Sequence, residues 1–283
     1  MQRIGFVGLG AMGSVMAPLP TRAGFSVIGF DSAAQRLEIA NVEHALTLAD
    51  LTACDSVITM LPDGTEVTAV ATKLANAGFR GLMIDMSSSH PADTTRLGKI
   101  LAVQGIRLID APVSGGVWAS EEARLIVMQG GAPDSCERAN QVIDCYAKAI
   151  TRVGDAGHGQ IAKLSNQIAQ TITIEGVAEC LTFATSLGAD PRAVFEAIKD
   201  GMGGSQMMTL MAPKMIDEDF GAGIEARLHA KDVGIALETA EAQQLRLPCL
   251  EFVAGQFRAI MGQGLGTQDS SILFDMLGRL RDR

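Results

Sequence analysis

Short apolar runs alternate with amphipathic stretches through the first half of this chain. Runs at 2–8, 25–31, 55–61, 81–86, 105–110, 124–129 and 149–153 read as buried strands. Segments of helical spacing lie between them, among them Glu66 to Asn76 and Asp93 to Val103. Such alternation predicts a parallel, doubly wound sheet. From about residue 158 the pattern changes. A long run from Gln160 to Leu187 carries apolar residues at Ile161, Leu164, Ile168, Ile172, Val177 and Leu181. Asp190-Pro191 then supplies an N-cap and a proline at the first helical position. Further helices fit 206–217, 228–245, 248–262 and 269–281, and no strand is needed after Gly154. The expectation is an α/β domain over 1–157 and an all-α domain over 158–283, joined by the long helix. The boundary falls in the glycine-rich stretch Gly154 to Gly159.

The first strand runs straight into Gly8-Leu9-Gly10-Ala11-Met12-Gly13, and the second ends on Asp31. Gly8 permits a tight turn, Gly10 lets backbone approach a pyrophosphate, and Gly13 allows close helix–strand packing. A helix N-terminus offers N–H groups to phosphates, and a carboxylate about 20 residues on holds a ribose hydroxyl. Strand, turn, helix, strand and acid in this order make the first domain Rossmann-type, with NAD as cofactor and NADP possible. The carboxylate of Asp31 repels a 2′-phosphate and so favours NAD, although Arg36 lies close in sequence. Pro18 and Pro20 fall inside the helix that should follow the turn, where an interior proline costs about 3 kcal/mol. That helix is expected to kink or break near Pro18.

Composition narrows the class. The formal net charge of −9 argues against nucleic acid or an anionic membrane as partner. No apolar run approaches the ~18 residues of a membrane helix. The five cysteines are scattered and form no CxxC, and the four histidines show no ligand spacing, so no metal site is expected. With no leader segment ahead of the first strand, the expected compartment is the cytoplasm.

Several loops carry candidate chemistry. Ligands of such sheets sit beyond the carboxyl ends of strands, where Leu61-Pro62 and the stretch from Asp85 to Pro91 fall. Ser114, Gly115 and Gly116 offer a hydroxyl and two open N–H groups, either a nest for a carboxylate or a plain turn. Lys163 lies in the first turns of the long helix, where the dipole disfavours a cation. It is either a proton-transferring amine or a snorkelling surface lysine. Asn166 and Gln167 share its helix face. Lys231, followed by Asp232, either approaches cofactor or substrate or forms a solvated pair. Trp118 lines the substrate pocket or is simply packed.

Together these segments resemble the β-hydroxyacid dehydrogenase family across nearly the whole chain. The resemblance implies a Rossmann domain followed by an all-α domain, and a homodimer or homotetramer. It implies hydride transfer between NAD(H) and a short 3-hydroxy acid or its semialdehyde, a small carboxylate substrate. Lys163 then resembles the catalytic lysine, assisted by Asn166, and Ser114, Gly115 and Gly116 the carboxylate site, with Gln167 and Trp118 beside the substrate. The cofactor contacts implied are Gly8, Leu9, Gly10, Ala11, Met12, Gly13, Asp31, Leu61, Pro62, Ser88 and Lys231. The Asn-Gln pair at 166–167 and the turn at Gly203-Gly204-Ser205 resemble the tartronate semialdehyde reductase branch most. An NADPH-preferring glyoxylate/succinic semialdehyde reductase, an imine reductase and a dinucleotide sensor are the rivals. Departures occur at Leu19-Pro20, Trp118, Ser120 and Ala123, where the family usually has other residues.

Overall fold

The computed structural model describes residues 2–39, 42–221 and 223–281. The chain divides into two compact units, 1–163 and 164–283, with the division inside one long helix.

In the first unit the strands are β1 (Arg3–Val7), β2 (Ser26–Phe30), β3 (Glu43–His44), β4 (Ser56–Thr59) and β5 (Leu82–Asp85). They continue as β6 (Arg107–Asp110), β7 (Val113–Ser114), β8 (Leu125–Gly130) and β9 (Ala147–Gly154). The helices are α1 (Gly13–Met16), α2 (Leu19–Arg22), α3 (Ala34–Ile39), α4 (Gly64–Ala77), α5 (Pro91–Val103), α6 (Gly116–Glu121) and α7 (Pro133–Ile143). The sheet order is β3-β2-β1-β4-β5-β6-β8-β7, with β9 also paired to β8. Strands β1 to β6 are parallel, in register at Phe6↔Ile58 and Ile58↔Ile84. Successive side chains serve opposite faces. Ile58 and Ile84 join Phe6, Ile109 and Tyr146 in one core, whereas Val57 and Met83 join Leu74 and Phe79 in the other. Both faces are covered, which is why the central strands read as unbroken apolar runs.

The sheet is not wholly parallel. β8 runs antiparallel to β6 at Asp110↔Gly130 and to β7 at Val113↔Val127 and Ser114↔Ile126. Ser114 therefore belongs to a strand, not to a free loop. β3 and β7 have two residues each, too few to show a period in sequence.

The helix after the glycine turn does break. Pro18 has no N–H for the Ser14 carbonyl and Pro20 none for that of Met16, so a continuous helix would lose two bonds. The chain instead forms α1 and α2, with Pro20 inside the first turn of α2, where no donor is needed.

The long helix α8 (His158–Ser186) spans the division. The second unit adds α9 (Pro191–Ile198), α10 (Gln206–Ile216), α11 (Ala226–Ala242), α12 (Pro248–Gly262) and α13 (Leu273–Arg281). Asp190 caps α9 by accepting the Arg192 N–H at 3.0 Å. Among the described residues this unit has an isolated bridge, Glu225↔Asp269, and no strand. Its core gathers Ile174, Leu181, Met211, Met215, Leu250 and Phe257. No helix among the described residues is long and apolar enough to cross a membrane.

Candidate active site

The parallel strands bring several of the expected residues to one edge of the first unit. The glycine turn follows β1, Asp31 follows β2, Leu61 and Pro62 follow β4, and Ser88 follows β5. A Cβ on Gly13 would stand 1.8 Å from the Gly8 carbonyl, so the first turn of α1 must pack against bare backbone. Gly10 is different. Its missing Cβ would meet nothing nearer than the Arg36 guanidinium, 4.0 Å away. The protein leaves that space open, as close approach of a phosphate to backbone requires. Asp31 is buried, and its Oδ2 accepts the Leu9 N–H at 2.8 Å while Oδ1 accepts that of Ala33 at 2.8 Å. The turn, its open glycine and the buried acid suit a dinucleotide.

A second layer supports this edge. Asp85, at the end of β5, is fully buried and its pKa is raised by desolvation. Its Oδ1 accepts from Thr59 Oγ1 at 2.9 Å and from the Ser87 N–H at 3.0 Å. The Leu61 N–H donates to Ser87 Oγ at 2.9 Å, which ties the end of β4 to the loop after β5. Ser88 lies in that loop, and His90 caps α5 by accepting the Ala92 N–H at 3.2 Å. The sequence marked this loop without revealing Asp85 or Ser87 as its supports.

The Ser114-Gly115-Gly116 turn stands where β7 ends. Gly115 and Gly116 have φ of 140° and 70°, a backbone that L side chains rarely adopt, so glycine is required there by conformation as well as by access. Gly116 starts α6, which carries Trp118 two residues on. Trp118 is 54% exposed, and its Cδ1 lies 4.0 Å from where a Gly116 Cβ would stand.

Lys163 is buried, with 9% of its surface exposed. It is not an exposed surface lysine. The start of its helix is held by a residue distant in sequence. Asp110, ending β6, accepts the Gly157 N–H on Oδ1 at 2.7 Å and the Gln160 N–H on Oδ2 at 2.8 Å. Burial pushes its pKa up to about 6, against the pull of those two N–H groups. The buried face of α8 is polar at regular intervals, through Gln160, Lys163, Gln167, Thr171 and Glu175. Spacings of three and four place these on one side.

In the second unit, Gln167 Nε2 donates to Asp232 Oδ2 at 2.8 Å and Gln167 Oε1 accepts from Asn166 Nδ2 at 3.1 Å. Lys231 Nζ is 3.3 Å from Asp232 Oδ1. Gln167 thus holds Asn166 and Asp232 holds both Gln167 and Lys231. Asp232, 5% exposed, was legible in sequence only as the neighbour of Lys231. Among the described residues no cluster of His, Cys, Asp and Glu is arranged to hold a metal ion.

Comparison with known proteins bears on this arrangement. Residues 3–154 match the family described as the NAD binding domain of 6-phosphogluconate dehydrogenase. Residues 157–277 match that described as the NAD-binding of NADP-dependent 3-hydroxyisobutyrate dehydrogenase. The chain is 34% identical to 2-hydroxy-3-oxopropionate reductase of Escherichia coli, over 97% of each chain. It is 31% identical to mitochondrial 3-hydroxyisobutyrate dehydrogenase of Drosophila melanogaster, covering 98% of this chain and 89% of that one. The solved structure of Mycobacterium tuberculosis 3-hydroxyisobutyrate dehydrogenase with L-serine matches with a TM-score of 0.92 at 29% identity, covering 98% of this chain and 99% of that one.

Proposed function

This chain belongs to the β-hydroxyacid dehydrogenase family and is an NAD(P)-dependent oxidoreductase of hydroxy acids, and from that premise we propose that Lys163 moves the hydroxyl proton. In this reading Ser114 and the N–H groups of Gly115 and Gly116 grip the substrate carboxylate. Asn166 hydrogen-bonds the reacting oxygen, and Gln167 keeps Asn166 in place. When bound, the nicotinamide supplies the hydride or receives it. Gly8 to Gly13, Asp31, Leu61, Pro62, Ser88 and Lys231 are the residues that would hold the cofactor.

The observation that carries the reading is the burial of Lys163 near the start of a helix. Desolvating an ammonium costs several kcal/mol unless it is compensated, and the helix dipole there opposes it further. A group that must release and regain a proton is commonly found buried in such a place. Trp118, exposed beside Gly116, stands at the side of the proposed acid site.

The proposed substrate is a short 3-hydroxy acid or its semialdehyde, with 2-hydroxy-3-oxopropionate and 3-hydroxyisobutyrate first among them, because relatives named for these compounds are 34% and 31% identical. The enzyme is proposed to work in the cytoplasm as a homodimer or homotetramer. Its five cysteines are all unpaired, which supports the compartment, and light scattering reads the assembly.

The test is Lys163→Ala. Turnover should fall by about 10²–10⁴-fold, the usual contribution of a positioned acid–base group, with NADH affinity close to that of the parent. Turnover equal to the parent's would remove Lys163 from the reaction. A screen of 3-hydroxyisobutyrate, glycerate, threonate, glyoxylate, succinic semialdehyde and tartronate semialdehyde identifies the substrate.

A further inference from the structure

We propose that Gln160 is a positioning residue that locks the turn bearing Lys163 onto the loop after β5. The inference rests on the reading of Lys163 as the proton-transfer group. Every residue involved lies in the first unit.

Gln160 has no exposed surface. Its side-chain amide is inserted into the backbone of the loop on both sides of Ser88. Oε1 accepts the Ser89 N–H at 3.0 Å, and Nε2 donates to the Ser87 carbonyl at 2.8 Å. Its own backbone N–H is meanwhile held by Asp110. One residue thus joins three structures: the end of β6, the loop after β5 and the first turn of α8.

The loop and the helix start are each held by further contacts. The loop is fixed from beneath by Asp85, which accepts the Ser87 N–H and is approached by Ser89 Oγ at 3.4 Å. The helix start is wedged close to the sheet. A Cβ on Gly159 would stand 2.5 Å from the Met128 carbonyl and 2.7 Å from Asp110 Oδ2. Lys163 follows Gln160 by one turn, about 4.5 Å along the axis on the same face. A small rotation of that turn would carry the amine with it, and a misplacement of about 1 Å can cost 10²-fold in rate.

The chemistry of the side chain is specific. At neutral pH the amide offers a donor and an acceptor together at this reach, which an ionised carboxylate of the same length does not. A methionine would fill the same volume and make neither bond. A glutamate would keep the Ser89 bond but set a carboxylate oxygen against the Ser87 carbonyl.

The test compares Gln160→Met in the parent and in Lys163→Ala, using the substrate turned over fastest in the screen above. Gln160→Met should lower kcat by about 10–100-fold, with KM for the acid within threefold and a thermal midpoint a few degrees lower, because the Ser89 N–H and the Ser87 carbonyl lose their partners. In the Lys163→Ala background the same change should have no further effect on kcat, because the residue acts through that amine. An unchanged kcat and pH profile for Gln160→Met would overturn the proposal. So would an equal loss in both backgrounds. If Lys163→Ala alone is fully active, the reading beneath the proposal fails instead. Should Gln160→Met not fold, Gln160→Glu serves. Its loss should be intermediate and should shrink as the pH falls and the new carboxyl gains a proton, and parental kcat at pH 8 would overturn the proposal.

Discussion

The carboxylate of Asp31 holds the backbone N–H of Leu9 at 2.8 Å and so ties the end of β2 to the glycine turn after β1. The same oxygen stands 3.4 Å from the Arg36 guanidinium, whose side chain is 54% exposed. One acid therefore shapes the turn and holds the Arg36 guanidinium beside it.

NADH should accordingly be the better cofactor. Asp31→Asn retains an oxygen for Leu9 but removes the charge and frees Arg36. The ratio of kcat/KM for NADPH over NADH should rise at least tenfold, about 1.4 kcal/mol. A ratio that stays put would show that Arg36 cannot reach the phosphate.

Glu175 is 4% exposed, and neither of its oxygens accepts a well-formed hydrogen bond among the described residues. Burial and then Glu179 push its pKa from 4.5 up to about 7, against Gln256. Between those values the unfolded chain gives up a proton that the native state keeps, so stability falls as pH rises through the window. Glu175→Gln should raise the thermal midpoint by a few degrees at pH 8 and change little at pH 4. The same gain at both pH values would contradict a buried neutral carboxyl.

Ala123 has φ of 53°, where a Cβ is strained. Ala123→Gly should stabilise the protein by about 1 kcal/mol, seen as a higher midpoint in thermal unfolding. A lower midpoint would mean that packing of the methyl outweighs the strain.

Trp118 is the only tryptophan. Emission at the proposed acid site is therefore free of other indoles. Titrating 3-hydroxyisobutyrate into the enzyme should change that emission, and Trp118→Ala should raise KM for the acid several-fold at constant NADH affinity. Constant emission at saturating acid would put the indole off the substrate path.

Much of the fold was legible because it follows local rules. All seven anticipated strands are present, and the central ones, buried on both faces, read as apolar runs. The break between α1 and α2 was legible because Pro18 and Pro20 each lack a donor. The antiparallel placement of β8 was not, because strand direction depends on partners and not on the period of side chains. In the site, the type and spacing of Lys163, Ser114, Gly115 and Gly116 stood out. Their supports did not: Gln160 meets Ser89 across 71 residues, Gln167 meets Asp232 across 65, and Asp110 meets Gly157 across 47.

From its sequence alone this protein is a dinucleotide-binding sheet followed by helices, with a glycine turn, an acid after the second strand and a lysine on a long helix. Those features rest on backbone sterics, proline chemistry and side-chain period, all of which act over a few residues. Only the tertiary structure decided that the lysine is buried, that a distant carboxylate caps its helix and that an amide joins that helix to the neighbouring loop. Hydrogen bonds between remote segments depend on how the layers pack, and no local pattern along the chain reveals which distant partner a buried polar group will meet.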